Sequence, residues 1–222
     1  MVVEVTPLTV PLLVVAVVGA GLAVLSLNYR GQKGAYPLAG VFSGAALWAG
    51  AYALELSSTA VDPALLWLRL RFVGSTVVPV AIFVLALELT DRDDLTLQYV
   101  LALFALPSFT AVAVWRNPAG IWAARYVFDP GAVPSVTADW GPWFVVYVSY
   151  QFTLAVGAIF LFARRAVDRE GARSNTASLL LVATVLPAVG TGLYVAGVSG
   201  IDYGAFAFLP AGLLMLVAMF YL

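Results

Sequence analysis

Seven apolar segments, each about as long as a membrane-spanning helix, dominate this sequence. A helix needs roughly 20 mainly apolar residues to cross a bilayer, and turn or charged residues separate the segments. Backbone hydrogen bonds inside hydrocarbon must be made within the protein, so each span is expected to be helical. The sequence therefore predicts an all-α membrane protein, a single domain built as a seven-transmembrane-helix bundle, with spans at Pro7–Asn28, Pro37–Ser57, Ala64–Thr90, Leu97–Trp115, Pro142–Ala163, Asn175–Gly197 and Ala205–Leu222.

The composition supports the same conclusion. Of the 222 residues, 63% are hydrophobic and only 10% are charged, whereas soluble domains are about 45–50% apolar and about 25% charged. So few charges could not cover a water-facing surface. We therefore expect a multi-pass protein of the cell membrane whose partner is the lipid bilayer, and the net charge of −1 gives no indication of nucleic-acid binding.

The residue types argue against catalysis and against cofactors. The chain has no histidine and no cysteine, which removes the commonest general base and the commonest metal ligands. A retinal protein needs a lysine inside a helix, and the single lysine, Lys33, lies between the first two segments. The aspartates lie in loops or at helix ends, which does not suit an aspartate protease. We predict no enzyme activity in this segment, no cofactor and no metal.

Loop charges predict the orientation, because cytoplasmic loops carry an excess of lysine and arginine. The loops after the first, third and fifth helices hold seven basic residues, whereas the loops on the other side of the membrane hold two, Arg116 and Arg125. The N-terminus is therefore predicted outside and the C-terminus in the cytoplasm, where an output domain beyond Leu222 would follow if the chain is part of a longer one. The seven basic residues on the predicted cytoplasmic side are Arg30, Lys33, Arg92, Arg164, Arg165, Arg169 and Arg173.

One long loop, 116–140, lies on the predicted outer side. Its stretches "IWAARYVF" and "AVPSVTAD" are rich in β-forming residues and flank the turn-forming "DPG". This pattern predicts a short external β-hairpin between the fourth and fifth helices. Such a hairpin would either cover the outer mouth of the bundle or serve as a connector on the membrane surface.

Two arginines, Arg69 and Arg71, lie near the start of the third apolar segment. A charge at mid-bilayer costs about 2.5–3.5 kcal/mol, so each needs a partner or a route to the interface. Being two residues apart, they point about 200° apart around the helix and cannot both face the same group. The expected counter-charge is Glu55, because a short loop joins its helix to the third. Two interpretations remain open: a structural ion pair, or a polar site for a ligand.

Other polar and aromatic side chains are expected near the same end of the bundle. Trp48 and Tyr52 share a helical face with Glu55, and Asp202 lies just before the seventh segment. The fifth segment carries an aromatic and polar stripe, and Tyr194 lies on the sixth. The full set of candidate ligand-binding or ion-pair residues is Glu55, Arg69, Arg71, Trp48, Tyr52, Trp143, Tyr147, Gln151, Tyr194 and Asp202.

Several stretches, in order and spacing, resemble the seven-helix sensor domain at the N-terminus of many membrane histidine kinases. They are "LWAGAYALELSS", "LLWLRLRFVGSTVVPVAIFVLALELTDRD", "LALFALPSFTAVAVWRNP", "DWGPWFVVYVSYQF" and "LLLVATVLPAVGTGLYVAGV". The resemblance favours Arg69 over Arg71 as the arginine of the common pattern. The family-like positions are Trp48, Glu55, Trp67, Arg69, Gly74, Pro79, Asn117, Pro118, Gly141, Pro142, Trp143 and Pro187.

This resemblance implies a sensory domain of a two-component signal-transduction protein, which passes an extracellular or membrane signal to a cytoplasmic output. It also implies an unknown small ligand and, because sensor kinases commonly work as dimers, a homodimer. The phosphoacceptor histidine is absent, so kinase activity cannot belong to these residues. The alternative is a small membrane transporter or a membrane scaffold protein. A polar site near the outer leaflet suits a receptor better, and the chain shows no repeat of the kind common in transporters.

Overall fold

The computed structural model describes residues 4–90, 96–167 and 171–220. Within these residues, seven helical spans are long and apolar enough to cross a membrane, and the predicted seven-helix bundle is confirmed. The predicted cytoplasmic residues Arg92 and Arg169, and the predicted end of the last span at Leu222, lie outside the described residues. The helices are α1 (Thr9–Asn28), α2 (Ala35–Glu55), α3 (Val61–Leu89), α4 (Leu97–Leu103), α5 (Ala105–Arg116), α6 (Pro142–Val167), α7 (Gly171–Val195) and α8 (Tyr203–Phe220), with α4 and α5 forming the fourth span.

Helices α2 and α3 form the centre of the bundle. Helix α2 contacts α1, α3 and α8, and α3 also contacts α5 and α6, while α7 packs between α6 and α8. The short α1–α2, α2–α3 and α7–α8 loops make the helices that they join antiparallel. We call the end with the α2–α3 and α7–α8 loops the hairpin end, and the end with the α1–α2 and α6–α7 loops the arginine-rich end.

Two glycines allow α2 and α3 to approach until their backbones touch. A Cβ atom on Gly74 would lie 2.5 Å from the backbone nitrogen of Trp48, and one on Gly44 would lie 3.0 Å from the carbonyl oxygen of Gly74. Close approach through small residues is a common way to pack helices in lipid, where helix association cannot rely on the hydrophobic effect. This contact fixes the register of the two helices and brings Glu55 and Arg71 to the same depth.

The fourth span is broken at Phe104, whereas a continuous helix is expected from its apolar pattern. Pro107 has no backbone N–H to donate to the carbonyl of Leu103, four residues earlier. The hydroxyl of Tyr150 on α6 donates to that carbonyl oxygen at 2.7 Å. The interruption is therefore stabilised by a side chain of a neighbouring helix, as an unpaired carbonyl in a membrane requires.

A β-hairpin lies between α5 and α6. Strand β1 (Ala123–Asp129) pairs antiparallel with β2 (Ser135–Trp140), and Trp122 at its base is fully buried. The ring of Trp122 meets that of Phe72 on α3 edge-on, with centroids 4.8 Å apart. The hairpin therefore packs onto the bundle and is more than a loose connector. Its location outside the membrane stays a prediction.

Asn117, one of the family-like positions, organises the chain that leads into the hairpin. Its backbone is left-handed, with φ of 41°. Its side-chain nitrogen donates to the carbonyl of Ala123 at 2.7 Å, and its side-chain oxygen accepts from the backbone N–H of Trp122 at 3.0 Å. At Gly141 a side chain would overlap the carbonyls of Gly120 and Ile121. Both family-like residues thus have a structural role.

The α2–α3 contact leads to a prediction about stability. We expect Gly74→Ala to destabilise the protein by about 1–3 kcal/mol, the usual cost of overpacking a close contact, because the added methyl group would meet the backbone of α2. The measurement is the free energy of unfolding in detergent micelles. Gly21→Ala is the matched control, since it is also helical and nothing lies within 4 Å of its added Cβ. An equal loss in both variants would contradict the proposed contact.

A buried charge cluster as the candidate functional site

The guanidinium of Arg71 lies buried between α2 and α3 at the hairpin end. Its Nη1 atom donates to both carboxylate oxygens of Glu55, at 3.1 Å and 3.3 Å. Only 2% of Arg71 and 1% of Glu55 is exposed. Hydrogen bonds between charged groups are roughly twice as strong as neutral ones, which helps to accommodate the charge within the bundle.

Three aromatic rings lie near the same guanidinium, the most distant being that of Phe72, whose centre is 5.6 Å from the guanidinium carbon. That carbon atom lies 4.2 Å from the ring centre of Tyr52 on α2 and 5.1 Å from that of Tyr194 on α7. The face of an aromatic ring attracts a cation, more strongly when water is absent. The rings therefore stabilise Arg71 in directions that the carboxylates do not occupy.

Asp202 links the Glu55–Arg71 pair to the start of α8. Its Oδ1 atom accepts from the backbone N–H of Gly204 at 3.1 Å and from the hydroxyl of Thr191 on α7 at 3.0 Å. The first of these bonds is that of a helix N-cap, where a carboxylate also suits the helix dipole. Its Oδ2 atom lies 3.9 Å from Nη2 of Arg71, and its backbone N–H donates to the hydroxyl of Tyr52 at 3.1 Å. Helix α8 therefore begins with a residue bound to α2, α3 and α7.

We call Glu55, Arg71 and Asp202 the charge cluster. Two carboxylates face one guanidinium, so the cluster carries one negative charge if every group is ionised. Burial raises the pKa of Asp202 above its ordinary range, and the nearby charge of Arg71 opposes that rise. Among the described residues, no group of three or more acidic side chains could hold a metal ion.

A second polar group lies next to the charge cluster, between α3 and α6. The hydroxyls of Ser75 and Tyr147 are hydrogen-bonded at 2.8 Å, and Gln151 lies one turn further along α6. Trp48 packs at the opposite wall, edge-on to Phe208 of α8 with ring centroids 5.5 Å apart. These side chains, together with Arg71 and Asp202, line one cavity.

Two of the candidate residues do not join this group. Arg69 is half-buried beneath the ring of Trp115 on α5, 5.7 Å from its centre. Trp143 donates from its indole nitrogen to Thr110 at 3.1 Å and packs against α5. The resemblance favours Arg69, yet Glu55 pairs with Arg71. The reason is rotation around α3, which turns Arg71 toward α2 and Arg69 toward α5.

Three polar residues at the site, Ser75, Thr184 and Thr191, are absent from the predicted set. Ser75 lies one helical turn after Arg71, so a shared face could have identified it. Thr184 and Thr191 are separated by two turns of α7 and face the same cavity. Helical spacing of polar residues within an apolar segment was the available indication for both.

The fold and the site define the class of protein to which this chain belongs. It is a multi-pass membrane protein with seven spans and a buried charge cluster at one end of the bundle. Residues 11–222 match the family model described as the N-terminal 7TM region of histidine kinase. The chain belongs to this family, as its resemblance predicts, and is the sensor region of histidine kinases, which is distinct from their catalytic region. No curated protein matched the chain.

The charge cluster leads to a prediction with a control in the same chain. Glu55→Gln removes one of two carboxylates from a buried guanidinium, and we expect a loss of about 3 kcal/mol in the free energy of unfolding. Asp139→Asn is the control, because Asp139 makes a pair of the same 3.1 Å length with Arg125 in which both side chains are largely exposed.

An exposed pair contributes at most about 1 kcal/mol, so the control should unfold almost as the parent protein does. Equal effects of Glu55→Gln and Asp139→Asn in detergent unfolding would show that burial adds nothing to the Glu55–Arg71 interaction.

Proposed function

We propose that this chain senses a stimulus at the hairpin end and passes it through α8 to a cytoplasmic histidine-kinase output. In this proposal the hairpin end faces outward from the plasma membrane and the arginine-rich end faces the cytoplasm. The observation that carries the proposal is the position of Asp202. This residue caps the last helix of the domain and at the same time faces Arg71 within the charge cluster.

The contacts at both ends of α8 support transmission along it. Its start is tied to Tyr52, Arg71 and Thr191 through Asp202. Its other end reaches the arginine-rich end, where the ring of Phe220 packs against that of Tyr29 at a tilt of 34°, with ring centroids 4.4 Å apart. A helix of 18 residues spans roughly 27 Å, so α8 connects the charge cluster to the opposite end of the bundle. Pro210 within α8 removes one backbone hydrogen bond and is the position at which this helix can bend.

The energy required is comparable to that of one buried contact. Coupling between two sites in allosteric proteins is typically about 1–3 kcal/mol. Losing one charged hydrogen bond in the cluster changes the free energy by a similar amount, about 1.5–3 kcal/mol. A stimulus that weakens one interaction of Arg71 could therefore shift the balance between two packings of α8.

Asp202→Asn tests this link in the full-length protein. Asparagine is also a good N-cap, so α8 should still form, while the charge that faces Arg71 is lost. We expect basal autophosphorylation in nanodiscs to change about fivefold or more, the lower range of typical coupling. Asp139→Asn, which removes an exposed charge, should leave the rate unchanged. An unaltered rate in Asp202→Asn, with normal yield and folding, would contradict transmission through this residue.

The proposed orientation can be tested by labelling, because the chain has no cysteine. We expect Thr137→Cys, at an exposed position of β2, to react with a membrane-impermeant maleimide on intact cells. Gly31→Cys, in the exposed α1–α2 loop, should react only after the membrane is permeabilised. The reverse pattern would mean that the hairpin end faces the cytoplasm.

The alternative function, a small membrane transporter, would require a different arrangement of polar residues. A carrier needs polar groups along a path across the membrane, whereas the polar side chains of the charge cluster and its neighbours gather at one end. We therefore expect no solute flux above that of empty vesicles in reconstituted protein. Flux that depends on Glu55 or Asp202 would favour the transporter.

A further inference from the structure

A cavity of about 90 Å³ adjoins the charge cluster and extends between α3, α6 and α7. One water needs about 10–15 Å³ of such space, so the cavity has room for a small molecule. Several lining residues, among them Phe152, Ala155 and Val195, are partly exposed, so the cavity reaches the surface of the bundle. Most of its wall is apolar, formed by Phe72, Val78, Phe144, Phe152, Ala155 and Phe208.

The amide of Gln151 projects into this cavity with its hydrogen-bonding capacity unused. Within the described residues, neither its Nε2 nor its Oε1 atom has a hydrogen-bond partner, although the residue is only 8% exposed. Buried polar side chains nearly always have partners, and each exception calls for an explanation. An amide can donate two hydrogen bonds and accept others, so a ligand that pairs with it must itself bear hydrogen-bonding atoms.

The neighbouring hydroxyl groups already have partners. The hydroxyls of Ser75 and Tyr147 bond to each other, and the hydroxyl of Thr184 donates to the carbonyl of Leu180 in its own helix at 2.8 Å. Gln151 therefore differs from these three hydroxyl groups, because both polar atoms of its amide are left without a partner. Among the described residues of this lining, the indole nitrogen of Trp48 is also buried without a partner, but it can only donate a hydrogen bond.

The charges at the end of the cavity define which ligands would fit. Arg71 is already matched by Glu55 and Asp202, so an added anion would meet two carboxylates and no free cation. An added cation would compete with Arg71 for the same carboxylates. Either charge would also lose its hydration against apolar walls, which is costly. A neutral molecule avoids both penalties.

We propose that this cavity binds a neutral, mainly apolar small molecule whose single hydroxyl or carboxamide group pairs with the amide of Gln151. The proposal names the ligand class for the site described above and in that sense rests on the proposed function. Occupancy would bring the ligand against Arg71, Tyr194 and Asp202, which connect the cavity to α8.

Three probes that share one ring separate the chemical classes. They are cyclohexylmethanol, which is neutral with a hydroxyl group, methylcyclohexane, which cannot hydrogen-bond, and cyclohexanecarboxylate, which is anionic. The measurement is the thermal unfolding midpoint of the protein in nanodiscs, since a ligand that binds only the folded state raises it. We expect a saturable rise with cyclohexylmethanol that exceeds the effect of the other two probes.

Gln151→Leu, with Gln151→Met as a second variant of similar volume, tests the amide itself. Both should raise the midpoint of the unliganded protein, because a buried unpaired amide is removed, and both should abolish the preference for the alcohol over the hydrocarbon. Gln98→Leu is the matched control, since Gln98 is exposed on α4, and it should keep that preference.

The proposal is overturned if cyclohexylmethanol gives no saturable rise, if cyclohexanecarboxylate binds best, or if the Gln151 variants keep the alcohol preference. These measurements need no output domain. If cyclohexylmethanol binds without any effect on autophosphorylation, the sensing role is refuted and the proposed ligand class still holds. If Asp202→Asn changes autophosphorylation but cyclohexylmethanol does not bind, the proposed ligand class is refuted and the sensing role still holds.

Discussion

The burial of Arg71 is the constraint on which the hairpin end of this bundle depends. A guanidinium that is removed from water must be matched by hydrogen bonds and opposite charge, or the helix that carries it is destabilised. Its partners come from separate parts of the chain: Glu55 and Tyr52 from α2, Tyr194 from α7 and Asp202 from the start of α8. Satisfying one charge thus holds four helices in a single arrangement.

This arrangement depends in turn on backbone contacts that a larger side chain would prevent. Glycines at positions 44 and 74 let α2 and α3 touch, and a Cβ on Gly190 of α7 would lie 2.5 Å from the backbone nitrogen of Gly204 on α8. The two close contacts flank the charge cluster. They bring α3 near α2 and α8 near α7, so that short side-chain bonds suffice and the long side chain of Arg71 needs to bridge only a narrow gap.

Local features of the sequence were sufficient to predict the spans and the approach of α2 to α3. Apolar length indicates each helix, and a short loop forces Glu55 to the depth of the arginines. The choice between Arg69 and Arg71 depends instead on the rotation of α3 against α2 and α5, which no local pattern specifies. The bond between Tyr52 and Asp202 joins residues 150 positions apart, and the break at Phe104 is stabilised by Tyr150 from another helix. Such features follow from packing alone.

The position of the unpaired amide beside a fully matched charge cluster suggests how specificity and transmission could be divided. A ligand shifts a conformational equilibrium only by its difference in affinity for the two states. A ligand that contacts a buried ion pair directly would have very different affinities for the two states. Such a ligand would be charged, however, and would have to lose its hydration. An apolar cavity with one free amide avoids that cost and still adjoins Tyr194 and Asp202, which touch the guanidinium. Recognition can then rest on Gln151, while the charge cluster responds to the displacement of its neighbours.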